Sequence, residues 1–432
     1  MATALTPAHR VWRRRVFIAT YLSYVGYYFC RKPFTVAKKA IGAQNHWDQA
    51  TLGNIGTAYL ITYAIGQFLA SSMGTRLGPR KNVLLGMGIS VVVTAAMGIT
   101  MSPWVMAGLF AVNGLAQATG WSGNVGTMAG WFHKHERGKV MGAWATNFNI
   151  GALISGWALA GVLALATPAP WQWTFFAGAA VLTAIWVLFY YWQRNRPEDL
   201  GLVAIDDPDT VVDESKAPDL VPPPSDGFMG LTRNAWINLM LVAGFYFFVK
   251  FIRYAIWSWA PYFINSNYLG GDHDTAAGLY ATAFDLLGLP GVYLTGWLSD
   301  RYFKSSRAGI SLIMMIATTV FLALMTGFYD ASLALFVPVL ALVGFSVYGP
   351  DALLTGAGAM DIGGRRAATF AAAVISGFGS MGSIVQELVI SRVYDPQHDS
   401  LFVIFVLLLG SAALAAAFCA ALVFRNRKGN GI

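Results

Sequence analysis

Two pairs of basic residues interrupt long apolar stretches of this chain: Arg31 and Lys32 in YYFCRKPF, and Lys250 and Arg253 in FYFFVKFIRYAIW. A cationic side chain costs roughly 2.5–3.5 kcal/mol at the centre of a membrane-spanning helix, so it is retained where it faces a cavity or a partner. Tyr24, Tyr27, Tyr28 and Arg31 fall at i, i+3, i+4 and i+7, which predicts three hydroxyls and a guanidinium on one helical face. Lys250, Arg253, Tyr254 and Trp257 repeat that spacing. A guanidinium donates two parallel hydrogen bonds to a phosphate, and an ammonium supplies a compact second charge. Four such cations with few acids nearby describe a pocket for an anion, with Arg31 and Arg253 approaching it from opposite sides.

Three acids stand in comparably apolar surroundings: Asp285, Asp351 and Glu387. Either arginine has an alternative life as the ion-pair partner of one of them. Asp285, in TAFDLLGLPG, is the expected partner of Lys32, with helix packing as the other reading. Glu387 is a candidate for proton coupling or for a structural hydrogen bond. Four cations against three acids leave a small positive surplus, which a dianion would fill. Reorienting an uncompensated charge through a low-dielectric constriction is costly, so the count predicts exchange rather than uniport.

The elements that carry these residues follow from composition. Of 432 residues, 56% are hydrophobic and only 12% charged, against about 25% charged in soluble domains, so the chain reads as an all-α, multi-pass membrane protein. The net charge of +8 comes in small groups between apolar runs, not in a basic stripe, which excludes nucleic acid as a partner. Cys30 and Cys419 lie in apolar runs and imply neither a disulfide framework nor a metal site. Arg10, Arg13, Arg14 and Arg15 lead directly into the first span, with no pattern of a cleavable leader. Segments near 16–40, 51–72, 82–101, 104–131, 138–166, 170–192, 233–268, 275–298, 308–329, 331–357, 366–393 and 400–424 are the expected spans. Alternate loops then carry 22 of the 29 Lys and Arg, and the opposite loops only Lys38, Lys39 and Arg392. The positive-inside rule places both termini in the cytoplasm.

Corresponding features recur at a nearly constant offset: Arg31 to Arg253, Arg76 to Arg301, Arg137 to Arg366. This is a parallel repeat of two six-helix halves, residues 1–193 and 232–432, joined by a Pro- and Asp-rich cytoplasmic linker at 194–231. This resembles the major facilitator plan, which implies a solute site between the halves. The segment GWLSDRYFK, with Asp300 and Arg301, resembles that superfamily's G-x-x-x-D-R loop, a conformational latch. Its counterpart SSMGTRLGPRK keeps Arg76 and has Ser71 and Thr75 at the glycine and aspartate places. The glycine-rich GWSGNVGTMAG lacks a G-K-[ST] ending and reads as close helix packing. His133 and His135 read as solvated loop residues. No nucleophile–base, metal-ligand or paired-carboxylate constellation stands out, so no cofactor and no enzymatic activity are expected.

YYFCRKPF, NGLAQATGW (Asn113–Trp121), WFHKHERGKVMGAW (Trp131–Trp144), FIRYAIWSWAPYF (Phe251–Phe263) and VYGPDALL (Val347–Leu354) together resemble the organophosphate:phosphate antiporters over nearly the whole chain. The resemblance implies that Arg31 and Arg253 coordinate phosphate, that Lys32 and Asp285 share a charge network, and that Tyr348 and Trp121 lie near the cavity. It implies exchange of an organophosphate, a sugar phosphate or similar, for inorganic phosphate by a monomer in the bilayer, the inner membrane if the source is bacterial. The chain departs from the glycerol-3-phosphate carriers at Phe148, where they have a histidine ahead of the residue matching Asn149, and at Gln67, where they have a lysine. Lys250 is an extra cation. A sensor of sugar phosphate that transports nothing, and a proton-coupled symporter of an organic anion, are the competing expectations.

Overall fold

Long apolar segments with few interruptions give helices and nothing else among the described residues. The computed structural model describes residues 5–165, 171–205, 231–269, 274–303, 306–393 and 400–429. Helix α1 (Pro7–Asn45) starts at Thr6, whose hydroxyl accepts from the His9 amide while the His9 ring returns to Thr6. There follow α2 (Gln49–Leu77), α3 (Pro79–Met97), α4 (Pro103–Gln117), α5 (Thr119–Ala129), α6 (Lys134–Ala145), α7 (Asn147–Leu165) and α8 (Gln172–Trp192). The second half comprises α9 (Arg233–Tyr268), α10 (Asp274–Tyr302), α11 (Arg307–Phe328), α12 (Leu333–Leu353), α13 (Ala359–Val393) and α14 (Ser400–Arg427). Among the described residues, eight stretches are apolar enough over 18 residues to cross a membrane by length and composition.

The expected spans map onto these helices with three changes. The fourth is broken at Ala118 into α4 and α5, and the fifth at Thr146 into α6 and α7. The tenth runs through α12 and a π turn at Leu354–Gly358 as far as Gly364, which carries φ 55° and ψ −157°. That backbone region is essentially reserved for glycine, so the chain turns there and the eleventh span follows. Gly78 does the same service between α2 and α3, at φ 79°.

Two compact units emerge. The first holds residues 1–133, 146–221 and 364–373; the second holds 134–145, 222–363 and 374–432. Each sequence half thus lends one segment to the other half's unit. In the first unit α2 packs on α4, α3 on α4 and α8, and α1 on α7 and α8. In the second, α10 packs on α12, α11 on α12 and α14, and α9 on α14. Among the described residues, four of these five pairings recur six spans later, in keeping with a parallel repeat. The expected linker is in part attached to the first unit: Pro197–Leu200 forms a 3-10 turn and Val203 offers its carbonyl to His9 Nε2 at 2.9 Å. The rest of the expected linker, 206–230, lies outside the described residues.

Close approach of backbones is the packing device. A Cβ on Gly178 would run into the Phe29 carbonyl, on Gly344 into that of Phe284, and on Gly382 into that of Phe247. Phe29 has that carbonyl to spare because Pro33, inside α1, lacks the N–H that would take it. Small residues at such crossings are how helices pack where no hydrophobic force drives them together. The glycines of α5 behave likewise: every residue of Thr119–Ala129 is buried, and Gly120 sits against the Tyr27 ring. Outward faces carry large apolar groups such as Val92, Ile99, Trp104 and Trp157, which suit lipid.

Candidate functional site

In the first unit the chemistry gathers around Arg31. Its Nε donates to Gln117 Oε1 at 3.0 Å, an oxygen that Tyr59 Oη also meets at 3.0 Å. Gln117 is itself held: its Nε2 donates to the Tyr27 carbonyl at 3.2 Å and to Asn113 Oδ1 at 3.1 Å. Asn113 in turn donates to the Cys30 carbonyl at 2.9 Å and accepts from Ser90 at 2.7 Å. The guanidinium lies over three tyrosine rings, Tyr28 at 4.9 Å, Tyr63 at 5.0 Å and Tyr59 at 5.5 Å. Among the described residues no carboxylate reaches it. A guanidinium has five N–H donors, one of them used on Gln117, so four remain on a group fixed by aromatic faces and an amide.

The other expected residues of this unit sort by depth. Tyr24 is buried against Trp121, ring centres 5.4 Å apart, and Tyr28 stands edge-on to Tyr24 at 6.1 Å. Gly151 of α7 lets the Tyr28 ring approach, since a Cβ there would come within 2.8 Å. Tyr27 leaves the expected stripe: its hydroxyl turns inward to Thr119 at 3.0 Å. On a helix turning about 100° per residue it lies about 60° from Tyr24 and about 100° from Tyr28, far enough for a packed neighbour to claim it. Gln67 and Asn149 are buried, and Gln67 Oε1 and Asn149 Nδ2 have no hydrogen-bond partner among the described residues. Leaving such a group unpaired costs about 1–3 kcal/mol. Lys32 is half-buried, and Arg76 is exposed at the end of α2.

In the second unit Arg253 is ion-paired to Asp351, which is 4% exposed, and the guanidinium stacks 4.2 Å over Tyr348. The Tyr348 hydroxyl donates to Asp285. The alternative raised by the sequence, an arginine paired with its own carboxylate, is what Arg253 does, whereas among the described residues Arg31 has no such pair. Asp285 is engaged by a tyrosine. Lys250 donates to Tyr254 Oη at 3.3 Å and lies 4.4 Å from the centre of that ring and 5.5 Å from that of Tyr246. Glu387 is exposed, accepting from Trp259 Nε1 at 3.2 Å and Gln386 Nε2 at 3.0 Å.

A second constellation was only partly visible in the sequence. Arg307, with no exposed side-chain surface, is ion-paired to Asp300 and, at 3.0 Å, to Asp361. Asp361 also pairs with Arg137 at 2.9 Å. Arg307 Nη2 donates to the Lys134 carbonyl at 2.6 Å, and Asp300 accepts the Lys139 amide at 2.6 Å. Two arginines and two aspartates therefore seat α6 on α10, α11 and α13 as a neutral set. Gly138 makes room, since a Cβ there would lie 2.6 Å from Arg307 Nη1. The latch reading had named Asp300 and Arg301; Arg301 is exposed, over Trp297 at 5.8 Å, and the buried arginine is Arg307. His133, expected to be solvated, is 4% exposed, whereas His135 is exposed.

The missed residues left a faint signal. Asn113 and Gln117, within NGLAQATGW, stand four apart in an otherwise apolar run, the spacing of one helical face. Tyr59 and Tyr63 show the same spacing in α2.

Comparison with known proteins agrees with this architecture. The chain is 28% identical over 453 residues to the glycerol-3-phosphate transporter of Haemophilus influenzae, covering 96% of this chain and 92% of that one. It is 29% identical over 424 residues to the glycerol-3-phosphate transporter of Bacillus subtilis, covering 96% and 93%. It is also 28% identical over 427 residues to a probable hexose phosphate transport protein of Chlamydia trachomatis, covering 94% and 90%. Among solved structures, the transporter FucP in its outward conformation superposes with a TM-score of 0.72 at 12% identity, covering 94% of this chain and 97% of that one. The proton:xylose symporter XylE superposes with a TM-score of 0.71 at 12% identity, covering 96% of each. The two structures speak to the fold alone. The sequence profile of the Major Facilitator Superfamily matches residues 16–387, and with the repeated six-span packing it means that this chain belongs to that superfamily.

Proposed function

We propose that this multi-pass membrane transporter exchanges a phosphorylated organic solute for inorganic phosphate by alternating access, with both termini in the cytoplasm. The observation that carries the reading is Arg31: a guanidinium in a membrane helix, braced by Gln117 and three tyrosines, with no carboxylate reaching it among the described residues. Such a group is suited to an anion with several acceptor oxygens, and phosphate matches its paired donors. The names of the relatives, transporters of glycerol 3-phosphate and hexose phosphate, support the same class of solute. In this reading Gln67 and Asn149 contribute neutral contacts and Tyr24, Tyr28 and Trp121 aromatic walls in the first unit, and Tyr348 contributes an aromatic face in the second. Asp351 holds Arg253 in place until an anion competes for it. Exchange rather than uniport follows from Arg31, because moving that uncompensated charge without a counter-anion is costly.

The test is counterflow of radiolabelled phosphate in proteoliposomes loaded with phosphate or with a sugar phosphate. Exchange that needs a phosphorylated anion on the far side, and no pH gradient, supports the reading. No exchange at all leaves a sensor; uptake that needs a pH gradient and shows no phosphate counterflow leaves a symporter. Arg31→Lys keeps the charge and loses the fork, so exchange should fall by about tenfold or more, the worth of a charged hydrogen bond.

A further inference from the structure

The first turns of α1 place Arg10, Arg13, Arg14 and Phe17 at i, i+3, i+4 and i+7, on one helical face. Phe132, from the turn between α5 and α6, makes that face into a cleft of about 260 Å³. The Arg13 guanidinium lies 4.5 Å from the centre of the Phe132 ring. Among the described residues the lining holds no acid. Guanidinium groups three and four residues apart repel one another, and like charges so spaced destabilise a helix. The helix end adds to this, since it carries a partial positive charge and no acidic residue stands in its first turn. An anion in the cleft would answer all of these charges at once.

The second unit forms a corresponding cleft with far less charge. Arg233, Trp236, Ile237 and Met240 follow Arg10, Arg13, Arg14 and Phe17 at nearly the offset that separates Arg31 from Arg253. With Leu241 and with Phe418 of α14 they line a cleft of about 380 Å³. The fold thus makes this groove twice and needs no cluster of arginines to do so. Orientation in the bilayer does not require the cluster either, because the positive-inside rule counts charges and is indifferent to the face they share. The depth is that of the membrane surface. Trp12, on another face of α1, lies under Arg15 at 5.0 Å and Arg194 at 5.4 Å, as suits an interfacial tryptophan. The first expected span begins near residue 16, so Phe17 stands where acyl chains start.

We infer that the α1 cleft binds the headgroup of an anionic phospholipid, its phosphodiester on Arg10, Arg13 and Arg14 and its first methylenes against Phe17 and Phe132. Arginine forks match phosphate oxygens in pairs, and basic pockets between helices at the membrane surface hold such headgroups. The volume lies below the roughly 300–1,000 Å³ that encloses a whole drug-sized ligand, so the headgroup enters and the chains stay in the bilayer. Free phosphate offers the same oxygens to the same arginines, and the experiment separates the two sources.

The delipidated protein is titrated in detergent with phosphatidylglycerol and with phosphatidylcholine, and bound lipid is counted by native mass spectrometry. The wild type should bind phosphatidylglycerol about tenfold or more tightly. Arg10→Gln and Arg14→Gln should each weaken that binding about fivefold, the worth of one cation near an anionic surface. Replacing Arg10, Arg13 and Arg14 together by glutamine should leave the two lipids nearly equal. Arg15→Gln removes the same charge from the Trp12 face and should change binding less than twofold. Equal affinity for the two lipids in the wild type overturns the inference. A preference that survives the triple substitution overturns it too, as does an Arg15→Gln effect as large as that of Arg14→Gln. Displacement of phosphatidylglycerol by equimolar inorganic phosphate overturns the lipid in favour of a soluble anion. If the triple variant fails to fold, the single substitutions and the wild-type preference decide. Transport is read in none of these arms, so the outcome is independent of the exchange proposal.

Discussion

Gln117 decides what Arg31 is able to do. Its amide is tied on one side to Asn113 and the Tyr27 carbonyl, so its oxygen is aimed and not merely near. Gln117→Leu should leave the helix packed and the guanidinium loose, raising the KM for phosphate exchange by about tenfold, the worth of a hydrogen bond to a charged group. Gln117→Glu should do more harm to transport while stabilising the fold, because it places a carboxylate where a 3.0 Å bond now stands. A rise in thermal midpoint together with a loss of exchange is the expected signature. The opposite pairing would show that Arg31 is not a ligand. The cations themselves were legible in the sequence, since charge in an apolar run is loud. Their braces were not: an asparagine or glutamine costs less in a membrane helix, and only the packing tells which face of α4 meets α1.

Helices here are positioned by what glycines omit. Gly178, Gly344 and Gly382 each bring one helix onto the carbonyl of another, and the neighbour in each case is backbone that cannot step aside. Gly382→Leu should therefore lower stability by about 1–3 kcal/mol, the range for overpacking, visible as a fall in thermal midpoint. Gly156→Leu, where nothing lies within 4 Å, should be nearly silent. Equal effects at the two positions would refute the close-approach account. The twelve spans and their repeat could be read from hydropathy and loop charge. The breaks at Ala118, Thr146 and Gly364 could not, because each lies inside an apolar run and arises from packing; only Gly364 had a residue type to announce it.

The largest-scale feature is the four-charge set of Arg137, Asp300, Arg307 and Asp361. Asp361 has no exposed side-chain surface and faces two arginines. Asp361→Asn should cost about 3–5 kcal/mol, the penalty for removing one partner from a buried ion pair. Asp330→Asn, at an exposed turn, serves as the control. Adding Arg137→Gln to Asp361→Asn should recover part of the loss, since it removes an arginine left without its acid. If the double variant is no more stable than Asp361→Asn alone, the two residues are not coupled. The sequence showed Arg137 and Arg307 only as loop charges that fix orientation; that they leave water to meet acids from distant helices is a matter of tertiary packing, on which local pattern is silent.

Ribosomal synthesis is directional, and α6 is made long before the residues it needs. Arg137 precedes Asp361 by 224 residues in the chain. Until translation has almost finished, α6 waits in the bilayer with a charge unanswered and Gly138 uncovered. A product released early, or cut between the halves, would strand it in that condition. An unfinished molecule therefore carries Arg137 still lacking the acid at position 361.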